Sequence, residues 1–312
     1  MWTGFLAFVL GMLALDLGVF NRRDHVIGTR EAIGWSLMWI GLALAFGAGV
    51  FLLVGHGEGQ EFVTAWVVEK SLSVDNLFVF VVLFEALRIP REMQHRVLFW
   101  GILSALVFRA AMILGGTALL SRFHWLTYVF GAFLVWTGWK LWAQEGDPGA
   151  GGVRILERVR RILPTTRGLH GHAFFAREDG RWHATPLFLA LVAIEIADVA
   201  FAVDSIPAVF AVSDDPFIIF TSNIFAILGL RSLYFLLADM VGRFVYLRTG
   251  LSAVLVYVGV KMIAVRFVDV PAGVSLAIVL AILGLAVGAS WLAVRRSHPQ
   301  EPGPDDDLNP PP

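Results

Sequence analysis

The sequence predicts an all-α polytopic membrane protein of about nine transmembrane helices, with an inverted repeat of three-helix units. Three observations predict it. Of 312 residues, 57% are hydrophobic and 16% charged, with a mean hydropathy of +0.73. Soluble domains run at about 45–50% apolar and about 25% charged. The apolar residues gather into segments near the roughly 20 helical residues that a bilayer core requires. An acidic motif inside the third segment also recurs inside the sixth.

The segments lie near 1–20, 33–55, 62–87, 96–118, 123–143, 185–211, 216–238, 250–268 and 273–294. The first, in MWTGFLAFVLGMLALDLGVFNRR, lacks the basic start and small-residue cleavage site of a signal peptide, so it is expected to remain as a span. Arginines then alternate between connections. Residues 21–32 hold Arg22, Arg23 and Arg30, while 56–61 hold no Lys or Arg. Arg88 and Arg91 follow, then Arg122 alone, then seven arginines in 144–184 and none in Ser213–Pro216. Arg243 and Arg248, the single Arg266, and Arg295 with Arg296 complete the series. Because such residues resist translocation, the N-terminus is expected outside and the C-terminus inside.

This divides the chain into two N-terminal helices (1–61), a first three-helix repeat (62–143), a cytoplasmic loop (144–184), a second, inverted repeat (185–268), a final helix (269–296) and a disordered acidic, proline-rich tail (297–312). Within the loop, GHAFFAREDGRWHATP reads as a hairpin turning at Asp179-Gly180. A net charge of −1 speaks against nucleic acid as a partner, leaving the lipid bilayer and a small ligand. The chain has no cysteine, which removes disulfides, thiolate ligands and dithiol redox chemistry.

The repeat rests on three successive matches. EKSLSVDNLFVF (69–80) aligns without gaps with DVAFAVDSIPAV (198–209), bringing Glu69 onto Asp198, Asp75 onto Asp204 and Asn76 onto Ser205. Arg109 then pairs with Arg231, and LVWTGWKL (134–141) with LVYVGVKM (255–262), which brings Gly138 onto Gly259 and Lys140 onto Lys261. A unit of three spans is odd, so the second copy crosses in the opposite sense, and the two acidic stretches are expected to face each other near mid-membrane.

Glu69, Asp75, Glu195, Asp198 and Asp204 put five carboxylates in two helices, where each costs at least about 2.5–3.5 kcal/mol to insert. A structural network with Lys70, Arg109, Arg231, Lys140 and Lys261 is one reading. The other is a cation site, built from Asp75, Asp204, Glu69, Asn76, Glu195, Asp198 and Ser205, with Lys70, Ser73, Arg109, Ser222, Asn223 and Arg231 behind it or gating it. Ser222 and Asn223 serve equally well as interhelical hydrogen-bonding groups. At 100° per residue, Glu69, Ser73 and Asn76 share a stripe, as do Asp198 and Ser205, while Asp75 and Asp204 sit about 100° away. Pro207 clashes with the carbonyl of Val203, so a broken helix is expected there; Phe78 stands at the matching place, leaving the helix at Asp75 open. Carboxylates, amide, hydroxyls and carbonyls select hard divalent ions such as Mn²⁺, Ca²⁺ and Mg²⁺. Asp16 reads as an interfacial salt-bridge partner, and His170-Gly171-His172 as polar surface.

EKSLSVDNLFVF, ATPLFLALVAIEIADVAFAVDSIPAVFAVSDDPFIIFTSNIFAILGLRSLYFLL and LDLGVFNR together resemble the TerC family, in its Alx-like branch, over roughly residues 10–270. The resemblance implies a nine-span bacterial inner-membrane protein, a link to tellurium resistance and, for Alx-like members, export of Mn²⁺ as cargo, with no resident cofactor. The family's first acidic motif matches Glu69, Asp75 and Asn76, and its second matches Glu195, Asp198, Asp204 and Ser205. Proton exchange at the same carboxylates is a driving force that metal–proton competition permits. The alternative is a non-transporting membrane partner in tellurium or envelope stress resistance, or in metal loading of secreted proteins. An intramembrane aspartyl protease fits less well, because the acid pair sits among further acids, Asn and Ser, and the chain is expected not to be an enzyme.

Overall fold

A computed structural model describes residues 2–20, 28–143, 150–166, 168–178, 180–238, 246–268 and 270–296. The tail 297–312, residues 144–149 and the side chains of Asp16 and Asp75 lie outside the described residues.

Helices α1 (Trp2–Phe20), α2 (Thr29–Leu53), α3 (His56–Ala86), α4 (Arg91–Arg122) and α5 (Leu126–Ala143) are followed by a short helix, α6 (Ala150–Ile162), and a hairpin, β1 (Phe175–Glu178) and β2 (Arg181–Ala184). The chain continues through α7 (Pro186–Phe210), α8 (Pro216–Ile227), α9 (Leu230–Ala238), α10 (Leu247–Ala264) and α11 (Ala272–Arg296). Every apolar segment drawn from the sequence coincides with a helix, except that 216–238 is two, α8 and α9. The hairpin pairs Glu178 with Arg181 and turns through Gly180, whose φ of +78° suits a residue without Cβ.

Five helical stretches among the described residues are long and apolar enough to cross a membrane: Thr29–Leu53, Arg91–Arg122, Pro186–Phe210, Pro216–Leu236 and Ala272–Ala293. Helix α3 has the length, at 31 residues, but EKSLSVDN lowers its hydropathy. Outward faces carry large apolar side chains, Trp100 and Phe108 on α4, Trp136, Trp139 and Trp142 on α5, Leu285 and Trp291 on α11. Such a surface belongs in lipid.

Helix α3 runs through the middle of the bundle, packed against α2, α7, α8, α9, α10 and α11. Among the described residues, α5 and α10 pack most closely. A Cβ on Gly138 would stand 2.9 Å from the carbonyl oxygen of Ser252, and one on Gly259 2.7 Å from that of Gly131, so only glycine lets these backbones meet.

One expectation is corrected. Helix α7 does not break at Pro207; it continues to Phe210, and Ala211 donates to the Pro207 carbonyl at 3.1 Å. A proline so near a helix end costs one hydrogen bond and leaves the last turn free to close. The break falls instead between α8 and α9, where Leu228 leaves helical geometry with ψ 130° and Gly229 takes φ +81°. Helix α3 is continuous through position 75.

Candidate functional site

The site begins with an arginine. Arg109, on α4, is 1% exposed. Its Nη2 donates to Asp198 Oδ1 at 2.9 Å and its Nε to Oδ2 at 3.2 Å, the parallel pair that a planar guanidinium makes with a carboxylate. Its Nη1 donates to Glu69 Oε1 on α3, which also accepts from Ser205 Oγ on α7 at 3.2 Å. The two acids that the repeat aligns are thus joined through one cation. That triad answers the desolvation of three buried charges, and leaves a formal charge of −1.

Beside the triad lies a cavity of about 80 Å³ between α3, α5, α7 and α10. Its polar lining is Glu69, Ser73 and Asn76 from α3, Thr137 from α5, and Asp204 and Ser205 from α7; leucines close it from α10. The stripe expected from helix geometry is therefore the stripe that faces the cavity. Asp204 reaches it together with its neighbour Ser205, because the space is wide enough to touch adjacent positions of an unbroken helix. Thr137 Oγ1 donates to Asp204 Oδ1 at 3.4 Å. Glu69 Oε2 and Ser73 Oγ are buried with no hydrogen-bond partner. Buried polar atoms are rarely left so, and such atoms beside a cavity large enough for a water molecule suit water or an ion.

Residues 54–298 match the integral membrane protein TerC family. The chain belongs to this family. It is 56% identical over 300 residues to an uncharacterised membrane protein of Myxococcus xanthus, covering 95% of this chain and 93% of the relative. A proposed membrane-bound redox modulator, Alx, of Escherichia coli K12 is 45% identical over 293 residues, 91% of each chain. An uncharacterised membrane protein of Rickettsia bellii is 37% identical over 290 residues, 93% of this chain and 96% of the relative. No solved structure matches the chain.

The remaining candidates of this TerC protein are dispersed. Glu195 turns away to α4, where Ser104 Oγ donates to its Oε1 at 2.5 Å and its Oε2 is buried without a partner. Lys70, next to Glu69, points to another helix and donates to the carbonyls of Ala226 and Leu228. Ser222 bonds to its own helix, at the Ile219 carbonyl, and Asn223 beside it is fully buried with neither side-chain polar atom paired. Arg231 is buried at the start of α9. Lys140 lies over the Trp136 ring, and Lys261 donates to Ser275 Oγ at 3.4 Å. Among the described residues no three Asp, Glu or His side chains converge as a ready-made metal cage. His170 faces Glu178 within the hairpin region.

Thr137 and Ser104 went unnoticed in the sequence. Single hydroxyls in apolar helices are weak signals, and Thr137 aligns with Val258 in the second repeat, so the repeat could not flag it.

Proposed function

We propose that this TerC protein is a multi-pass bacterial inner-membrane transporter that exports a divalent metal ion, Mn²⁺, with its N-terminus outside and C-terminus inside. The cavity between α3, α5, α7 and α10 is the ion's mid-membrane station. The observation that carries this reading is the pair of buried, unpartnered oxygens, Glu69 Oε2 and Ser73 Oγ, on a cavity whose other polar residues all offer oxygen. Hard divalent ions prefer that donor set. Asp75, one residue before Asn76, is the further ligand available from α3, and Asn76, Thr137 and Ser205 complete the shell.

Two inverted repeats within nine spans supply the frame for alternating access. Contacts across the α5–α10 seam come in the pairs that a two-fold axis would generate. Extending the gapless alignment from Gly138 and Gly259 matches Gly131 with Ser252 and Val135 with Val256. Gly138 abuts Ser252 and Val256, while Gly259 abuts the matching Gly131 and Val135. Leu72 and Phe201, matched by the acidic motifs, both line the cavity, as do Asn76 and Ser205. Protons competing with the metal for Asp204 and Glu69 are the coupling partner in this scheme. The name of the Alx relatives speaks of redox modulation; this chain has no cysteine through which a thiol could take part.

Proteoliposomes containing the purified chain and a manganese-sensitive dye test the proposal. Mn²⁺ flux is expected for the wild type, and much reduced flux for Asp204→Asn, Asp75→Asn and Glu69→Gln. Absence of wild-type flux, or undiminished flux in all three variants, would overturn it.

A further inference from the structure

The middle helix of the second unit is broken where that of the first is not. Helix α4 is continuous from Arg91 to Arg122, whereas α8 stops at Ile227 and α9 starts at Leu230. Ending a helix inside an apolar bundle strands carbonyl oxygens that have lost their helical donors and carry the negative end of the helix dipole. Lipid offers them nothing. Here the stranded oxygens meet a cation from α3: Lys70 Nζ donates to Ala226 O at 3.1 Å and to Leu228 O at 3.3 Å. The next carbonyl, Gly229 O, is already taken up by α9, accepting from the Leu233 N–H at 3.0 Å and from Ser232 Oγ at 2.9 Å, and Ser232 Oγ in turn accepts from Ser36 Oγ at 3.1 Å.

Lys70 is not part of the metal cavity, although Glu69 beside it is. The repeat makes the assignment sharper. Val199 stands where Lys70 stands in the other copy, and the helix that it would face, α4, has no break. The lysine stands in the copy that faces a helix break and is absent from the copy that does not.

We propose that the α8–α9 break is a monovalent-cation site that this chain fills with its own side chain, the Lys70 ammonium standing where a Na⁺- or K⁺-sized ion would otherwise sit. Interrupted membrane helices with exposed carbonyl ends are where sodium-dependent transporters hold their ion. An ammonium is a compact point charge with three donors, matched to oxygens arranged around a centre, unlike the planar fork of a guanidinium. The tether keeps the ammonium in place, so the fold needs no monovalent salt to keep the break in shape. This inference does not rest on the identity of the transported metal and is read out without transport.

The test is thermal unfolding of the full-length chain in detergent, in NaCl, KCl or choline chloride at equal ionic strength. The wild type is expected to unfold at the same temperature in all three. Lys70→Ala is expected to unfold several degrees lower in choline and to recover most of that loss in NaCl or KCl, with methylammonium chloride restoring it as well. Equal midpoints for Lys70→Ala in every salt would overturn the proposal, as would a wild type that gains as much from Na⁺ or K⁺ as the variant does. Lys70→Gln, which keeps most of the side-chain length and a donor but no charge, guards against simple misfolding. It too should regain stability in Na⁺ or K⁺, and wild-type stability for it in choline counts against the idea. If neither variant folds in any salt, a free cation cannot replace the tethered one and the proposal fails.

Discussion

The hydroxyl of Ser252 donates to the carbonyl oxygen of Gly138 at 2.7 Å, across the seam where α5 and α10 touch backbone to backbone. A bond so short between a side chain on one helix and the main chain of another is possible only because Gly138 has no Cβ.

Gly138→Val and Gly259→Val are therefore expected to destabilise the protein by at least about 1–3 kcal/mol, the range for overpacking, since the collision is with backbone that cannot rotate away. Gly284→Ala and Gly288→Ala, where an added Cβ meets nothing within 4 Å, are expected to be neutral or slightly stabilising. Unfolding midpoints of the four variants in one detergent check this, and equal effects at all four positions would contradict the seam.

Arg109→Ala leaves Glu69 and Asp198 buried beside each other with no counter-charge. Breaking such a buried group by removing one partner costs about 3–5 kcal/mol. Arg109→Lys keeps the charge but not the paired hydrogen bonds to Asp198, and is expected to fall between wild type and alanine. Denaturant titration ranks the three; a wild-type-like alanine variant would show that the triad does not hold the bundle.

Asp204→Asn is expected to weaken Mn²⁺ binding by about tenfold or more, equivalent to ~1.4 kcal/mol or more, by removing a charge from the cavity wall. Glu195→Gln, three residues before Asp198 but turned to Ser104, is expected to have a much smaller effect. Calorimetric titration of the detergent-solubilised protein separates the two carboxylates, which proximity in sequence does not.

Gly229→Ala places a side chain at φ +81° and a Cβ 2.8 Å from Trp39. A left-handed backbone costs about 1–3 kcal/mol for such a residue, before the clash is counted. Trp39→Gly in the same chain removes the Cβ, Cγ and Cδ1 that the new Cβ would meet at 2.8 Å and is expected to relieve the clash alone, so the double variant recovers part of the loss. A thermal double-mutant comparison measures that coupling, and strict additivity would mean that the contact is not felt.

Much of this was legible in the sequence. The helices follow from apolar segments, the hairpin from Asp179-Gly180, and the cavity-facing stripe from the spacing of Glu69, Ser73 and Asn76. The alignment of Glu69 with Asp198 anticipates two acids that meet, and a network of carboxylates with Arg109 is one of the two readings that the sequence leaves open; that a single guanidinium holds both acids is not legible in the spacing.

What stayed hidden has physical reasons. Pro207 is a louder signal than Gly229, yet a proline near a helix end is tolerated, while a glycine in an apolar run can mean close packing or a left-handed turn, and the sequence does not say which. Lys70 reads as one of a cluster with Glu69, but neighbours on a helix diverge by 100°, and a long side chain goes where the stranded oxygens are. Glu195 and Asp198 lie a turn apart, near enough in sequence to suggest a shared ligand, and Ser104 draws the first of them elsewhere.

Arg109 has one further consequence. It sits on α4 and binds Glu69 of α3 and Asp198 of α7, so it ties the helices before the hairpin to those after it at one point. Opening the cavity toward either face cannot pull the halves apart at that point without leaving a charge bare in a place that lipid and protein both keep dry. In the proposed transport cycle, travel is therefore angular, smallest at the guanidinium and growing with distance from it.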